Sequence, residues 1–245
     1  RLRDRIYEEV VPRLAQALMR ARGLRKVTAE RLAETYEASL LLLFRLLFLA
    51  YAEDRDLLPY RVNGLYRKRS IKEMARELLE LERVARAGHI AGGDAAPKTG
   101  RGAKAAGEDP AFGAGSDYWQ RLRSLFTAVR EGNRGWGVPA YGGAIFEVDA
   151  ALSPLGALLE GVELPDTALG PILQSLLLDE TEEGRGPVDF RSLGVREFGT
   201  IYEGLLEQEL SLAESDLAVG KDGAYVPVTG KARAVVAEGE VYLHN

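Results

Sequence analysis

The chain has 245 residues, of which 46% are hydrophobic and 28% charged. That is enough for one large domain or two small ones with a buried core. There is no cysteine, and His89 and His244 are the only histidines. Disulfides, thiolate zinc sites, iron–sulfur clusters, cysteine nucleophiles and multi-histidine metal sites are therefore excluded.

The net charge of -5 conceals a split. Residues 1–146 carry 26 basic and 18 acidic side chains, a net of +8; residues 147–245 carry 6 and 19, a net of -13. One half could face phosphate and the other a basic protein surface. The plainer reading is two ordinary solvated surfaces. The 25 Arg against 7 Lys, with abundant Ala, Gly and Leu, fit GC-rich coding as well as nucleic-acid binding. The missing cysteines fit a cytoplasmic location. The chain opens on Arg1 rather than methionine, as expected of a processed or truncated chain.

Ile6, Val10, Leu14 and Leu18 recur every four residues and predict a helix over 3–22. Pro12 should kink or restart it, and Gly23 should end it. Thr28 is a good N-cap for a second helix reaching about Ala52. Its stretch SLLLLFRLLFLAYA (39–52) is too short to span a bilayer, is interrupted by Arg45 and lies inside the chain, so it predicts a buried core helix. Ser70 and Glu73 form a capping-box pattern for a third helix with Met74, Leu78 and Leu81 on its face and Gly88 as its stop.

Residues 91–116 are rich in Gly, Ala, Pro and charge and predict a flexible linker. Asp117–Glu131 predicts a fourth helix with Trp119, Leu122, Phe126 and Val129 on one face and Gly132 as C-cap. Residues 132–143 form a glycine-rich turn, with Trp136 and Tyr141 as core anchors. Short helices are expected near 153–159 and 166–178, then a charged loop at 179–183. A longer helix is expected over 195–212 with Phe198, Tyr202, Leu205 and Leu206 inward, where Gly199 and Gly204 cost stability unless a neighbour packs close. Short strands are expected at 224–229, 232–237 and 240–244, joined by Gly230 and Gly239. The expected fold is mainly α, a multi-helix domain with a small β-hairpin-like C-terminal segment. Its parts would be 1–90, a linker at 91–116, 117–219 and a β segment at 220–245.

Chemistry is harder to find. Gly100–Lys104 resembles a phosphate loop by composition only, and no nucleophile elbow occurs. Both histidines read as surface residues. Glu53, Asp54 and Asp56 cluster at a helix end, where acid opposes the helix dipole. They could bind a metal or act as a base, but with Arg55 among them a salt-bridged corner is the better reading. Arg61, Arg67, Lys68, Arg69, Lys72 and Arg76, beside Tyr60 and Tyr66, are the candidate DNA-phosphate contacts. Lys98, Arg101 and Lys104 could also touch DNA. No catalytic, cofactor-binding or metal residue is assigned.

Four segments carry a resemblance: LLLLFRLLFLAYAEDRDLLP (40–59), YWQRLRSLFTAVREGN (118–133), GVPAYGGAIFEVD (137–149) and FGTIYEGLLEQELSL (198–212). In order and spacing they resemble the helical region preceding the catalytic domain of bacterial adenine-specific DNA methyltransferases. That group includes type IIG restriction–modification enzymes and the BREX and DISARM phage-defence methyltransferases. The resemblance covers about residues 1–215.

It implies a parent protein that transfers methyl from S-adenosylmethionine to adenine N6 in DNA. This chain would then be a non-catalytic connector, with DNA and an adjoining methyltransferase domain as partners and no membrane. In such proteins the Ile201–Glu207 helix leads into a core carrying Asn-Pro-Pro-Tyr/Phe. Here there is no Asn-Pro-Pro, and the chain stops at Asn245 about where that core would begin, so the family's catalytic residues have no positions to occupy. Two alternatives stand beside this reading: a stand-alone protein-interaction module of a phage-defence complex, and a small metal-dependent DNA-processing enzyme built on Glu53–Asp56.

Overall fold

A computed structural model describes residues 2–24, 27–91, 109–181, 184–220, 223–229 and 233–244. Most of the predicted linker, 92–108, lies outside these, as do Lys98, Arg101, Lys104 and Gly230. The protein is mainly α-helical, with a few short antiparallel strands toward the C-terminus.

The first predicted helix is three pieces in one line: α1 (Leu2–Arg5), a π-helical turn (Ile6–Val10) and α2 (Val11–Ala21). Pro12 lacks an N–H and its ring would meet the carbonyl four residues back, so the helix widens just before it. Ile6, Val10, Leu14 and Leu18 are all fully buried. The second helix, α3 (Ala29–Asp54), begins as predicted, with Thr28 Oγ1 accepting from Arg31 N at 3.3 Å. At 26 residues it is long and apolar enough to cross a membrane, but most of its apolar stretch is buried inside the protein.

A short α4 (Gly64–Arg67) precedes α5 (Ile71–Ala91), whose backbone continues past Gly88. Of its predicted face, Met74 and Leu78 are buried, while Leu81 is exposed. Residues 109–116, the tail of the predicted linker, are packed rather than loose. Asp109 N donates to Thr167 O at 2.7 Å, and the Phe112 ring lies against Gly170. Then come α6 (Asp117–Glu131), α7 (Pro154–Glu160) and α8 (Asp166–Leu177). Gly132 ends α6 at φ +81°, a conformation that favours glycine.

Three two-stranded antiparallel ribbons follow. The predicted charged loop is instead a hairpin of β1 (Leu178–Thr181) and β2 (Gly184–Pro187), in which Leu178 is buried and Asp179 is held by Arg5. The predicted 195–212 helix is also shorter. It is α9 (Val195–Leu206), after which Glu209–Leu212 forms β3, paired with β6 (Val241–His244) in the register Leu210↔Leu243. The period changes from 3.6 to 2 at Leu210, whose side chain is buried by the strand pair. Between them β4 (Leu217–Val219), which the sequence did not suggest, pairs with β5 (Tyr225–Pro227). The described part of the predicted 232–237 strand makes only an isolated bridge, Leu217↔Val236.

One hydrophobic core runs from Ile6 to Leu243 and draws on the predicted N- and C-terminal helical parts alike. Helix α3 is its axis. Leu42, Leu43, Leu46, Leu47 and Leu49 are fully buried, whereas Leu41, Phe44 and Phe48 are only partly covered. One face of this helix carries the buried core and the other borders α9.

Candidate functional site

The acidic corner at the C-terminal end of α3 does not gather its carboxylates. Glu53, fully buried, accepts hydrogen bonds from Tyr66 Oη (2.7 Å), Ile71 N (3.0 Å) and Lys72 N (2.9 Å). It thus caps the first turn of α5 across 18 residues of sequence, satisfying amides that a helix leaves open. Ser70 Oγ supplies the local half of that cap by accepting from Glu73 N at 3.1 Å. Burial pushes the Glu53 carboxyl up to about 7, against the pull of the three hydrogen bonds and Lys72. The same burial, with the Glu53 charge, raises the Tyr66 hydroxyl.

Asp54 turns elsewhere. One oxygen accepts from Phe190 N at 2.7 Å and the other meets Lys72 Nζ at 2.5 Å. Asp56 sits at φ +57° and pairs with Arg61 at 2.9 Å. The three acids therefore serve three separate contacts. Among the described residues no three His, Asp or Glu side chains are grouped to hold a metal.

The six candidate phosphate contacts run along the outer side of this corner. Arg61 is paired with Asp56, Lys72 with Asp54, and Arg76 with Glu73 at 3.7 Å. Arg67 donates to the Tyr60 and Arg61 carbonyls and lies over the Tyr60 ring. Arg69 donates to Leu65 O and stacks 4.9 Å from the Trp136 centroid. Lys68 is exposed and makes no ion pair among the described residues. Arg61, Arg67, Lys68 and Arg76 remain at the surface, while Lys72 is held inward beside a cavity of about 210 Å³ bounded by Tyr60, Asp54 and Phe190.

Two buried charges escaped the sequence reading. Arg45, 1% exposed, donates from Nε to Ile145 O (2.5 Å) and from Nη2 to Glu147 O (3.0 Å), and lies over the Phe126 and Phe146 rings. Desolvation lowers its pKa to about 10. Asp166, also buried, accepts from Asp117 N and Tyr118 N at 3.0 Å each, and so caps α6 from the start of α8. In the sequence it looks only like an acid in its own helix's first turn. His244 bonds Ser211 at 2.7 Å across β3 and β6, while the His89 side chain lies outside the described residues.

Among the described residues the other face of α3 is open. A groove of about 870 Å³ lies between α3 and α9. Leu40, Leu41, Phe44, Phe48 and Tyr51 form one wall, at helical spacing. Phe198, Gly199, Tyr202 and Leu206 form the other, over a floor that includes Ile145 and Leu155. Phe44 meets Tyr202 at 5.5 Å and Tyr51 meets Phe198 at 5.6 Å, edge to face, so the helices run antiparallel. Leu205 is buried as expected, but Tyr202 and Leu206, expected inward, are 47% and 59% exposed because they lie on the groove side of α9. Tyr141 stands near this face at 42% exposure rather than in the core, its hydroxyl donating to Leu57 O. Trp136 is partly buried against the core.

No protein-family model matches the chain, and no curated protein or solved structure matches it.

Proposed function

We propose that the chain is a helical scaffold of a bacterial DNA adenine-N6 methyltransferase or restriction–modification protein, working in the cytoplasm in DNA modification and phage defence. The observation that supports this is convergence. The four segments that carry the resemblance pack into one core. Arg45 of the first bonds the backbone of the third at Ile145 and Glu147. Phe126 of the second meets Phe146 of the third, and Phe198 of the fourth meets Tyr51 of the first. A shared packing unit is what a common helical region requires.

The ribbons among the described residues are two-stranded and antiparallel, unlike the parallel sheet and glycine loop of a dinucleotide-type cofactor fold. On this reading methyl transfer belongs to an adjoining methyltransferase domain. This chain would hold that domain and touch DNA phosphates through Arg61, Arg67, Lys68 and Arg76. The metal-dependent enzyme reading loses its support with the dispersal of Glu53, Asp54 and Asp56. The open groove favours the interaction-module reading as the second choice.

The test is chemical. Genomic DNA from a host expressing the whole encoding gene is expected to carry N6-methyladenine at a fixed sequence, and to lose it when the codons for this chain are deleted. Unmethylated DNA with the gene intact and expressed would overturn the proposal. For the phosphate role, Lys68→Ala should lower the salt slope of duplex binding by about 1 without changing sequence preference.

A further inference from the structure

We propose that the turn around α4 is a DNA wedge: Val62 and Leu65 enter a groove of the duplex and part a base step, while Arg67, Lys68 and Arg134 hold the flanking phosphates. This deepens the DNA-contact reading and rests on it. Val62 is 87% exposed, more than any other large apolar side chain among the described residues, and Leu65, three residues on, is 54% exposed. Single exposed apolar side chains are ordinary. This pair, however, stands on a turn that is tied down on every side. Asn63 Oδ1 accepts from Leu65 N and Tyr66 N, and its Nδ2 donates to Gly135 O at 3.1 Å. Arg67 clamps the Tyr60 and Arg61 carbonyls, and the fully buried Tyr66 anchors the turn to Glu53. Parting stacked bases costs a few kcal/mol per step, so a side chain that does it needs a rigid mount.

Charge selects the partner. The Gly135 tie and the stacking of Arg69 on Trp136 seat the 132–138 turn on the α4 turn, so the exposed Arg134 is carried beside it. Residues 57–72 and 132–146 together hold six cations, Arg61, Arg67, Lys68, Arg69, Lys72 and Arg134, and no acid. The acids that border them are taken. Asp54 pairs with Lys72, Asp56 with Arg61, Glu73 with Arg76 and Glu131 with Arg130. Glu77 is bonded to Arg121, whose other arm donates to Lys68 O. Arg67, Lys68, Arg69 and Arg134 are left without an acidic partner among the described residues. Cations that flank an apolar tip match a polyanion whose phosphates border an apolar stack of bases.

An anionic membrane is the other polyanionic surface with an apolar interior. Two side chains around a four-residue helix fall short of the apolar face by which a helix lies in a membrane interface. One or two such side chains are what groove-binding proteins use to part a base step. The guanidinium groups fit DNA as well. Arg67 and Arg69 are held over the Tyr60 and Trp136 rings, so little freedom is lost when their planar forks meet phosphate oxygens.

Ligase-catalysed circularisation of a duplex fragment of about 150 bp, one persistence length, reads a kink directly. The full chain at a saturating concentration should speed circularisation about tenfold, because a kinked fragment brings its ends together. Val62→Ser combined with Leu65→Ser should lose most of that gain while keeping the salt slope of binding. Its circular-dichroism spectrum and melt should be unchanged, since both side chains already stand in solvent. Arg134→Ala should lower the salt slope by about 1; an unchanged slope overturns the phosphate clamp. Salt-dependent duplex binding with no gain in circularisation, or a gain that survives the double serine variant, overturns the wedge and leaves the DNA-contact reading standing. Absence of any salt-dependent duplex binding overturns both. Tighter binding to anionic phospholipid vesicles than to duplex, lost in the double serine variant, overturns the wedge in favour of a membrane surface.

Discussion

The two regions that α3 organises differ in how completely they are finished. At its C-terminal corner and on its inner face, buried polar groups have partners: Glu53 holds three donors, Asp54 two, and Arg45 two carbonyls. On its outer face, Phe44, Phe48, Tyr51, Tyr202 and Leu206 line a groove that the other described residues leave uncovered. A buried charge costs several kcal/mol unless it is fully bonded, so the first region tolerates no vacancy. Exposed apolar surface is cheap for one molecule, yet it is a standing invitation to a partner. The inner region should therefore govern stability and the outer one association.

The largest expected effect is at Arg45. Arg45→Ala would leave the Ile145 and Glu147 carbonyls without their donor and open a void between Phe126 and Phe146. Unfolding in urea should show a loss of about 3–5 kcal/mol. Arg45→Met keeps most of the volume and should lose less. A change under about 1 kcal/mol for the alanine variant would mean that the 137–149 turn is held by other contacts.

Glu53 comes next, and its effect depends on pH. Burial pushes its carboxyl up to about 7 in the folded protein from an ordinary value of 4.5. The folded state therefore keeps its proton where the unfolded state has lost it. The contribution is fully present below about pH 4.5 and fades as pH rises through 7, with a slope of at most about 1.4 kcal/mol per pH unit. The difference between wild-type and Glu53→Gln stability curves should fall over that window and flatten above it. A flat difference from pH 4.5 to 7 would show that the hydrogen bonds from Tyr66, Ile71 and Lys72 balance the burial. Asp166→Ala should cost about 1–2 kcal/mol through the lost cap of α6.

These residues also show what the sequence could convey. Thr28, Ser70 and Pro12 act on their own chain neighbours, and their roles are legible from spacing alone. Glu53 and Asp166 cap helices begun 18 and 49 residues away, and no local pattern announces a cap that is made by folding. Arg45 looked like an interruption of an apolar run; its partners are carbonyls 100 residues on, which any sequence would offer. The hairpin at 178–187 and the β3 strand were hidden because short ribbons borrow their burial from the helices beneath them. The acidic corner reads as a turn salt-bridged through Arg55, but Asp54 and Asp56 pair with Lys72 and Arg61, Arg55 donates to Arg191 O, and Glu53 is a helix cap. The groove's residues read as buried ones, α3 apolar nearly all round and Tyr202 and Leu206 inward, because periodicity records only that a face is apolar. It does not say whether the chain itself covers that face.

The smallest effect tests the contrast most sharply, because it changes one hydrogen to a methyl at two glycines of one helix. Gly204 faces inward: a Cβ there would lie 2.1 Å from Tyr7 Oη, which donates to Ile201 O at 3.0 Å. Gly204→Ala must displace Tyr7, and the overpacking should cost about 1–3 kcal/mol. Gly199 faces the groove with open space around it, so Gly199→Ala should recover the helix penalty and stabilise the monomer by up to about 1 kcal/mol. Gly199→Ala should therefore raise the melting temperature where Gly204→Ala lowers it. Opposite signs at two glycines five residues apart in one helix would separate the finished face of the molecule from the unfinished one, and a loss at both would mean that the Gly199 side of α9 is covered.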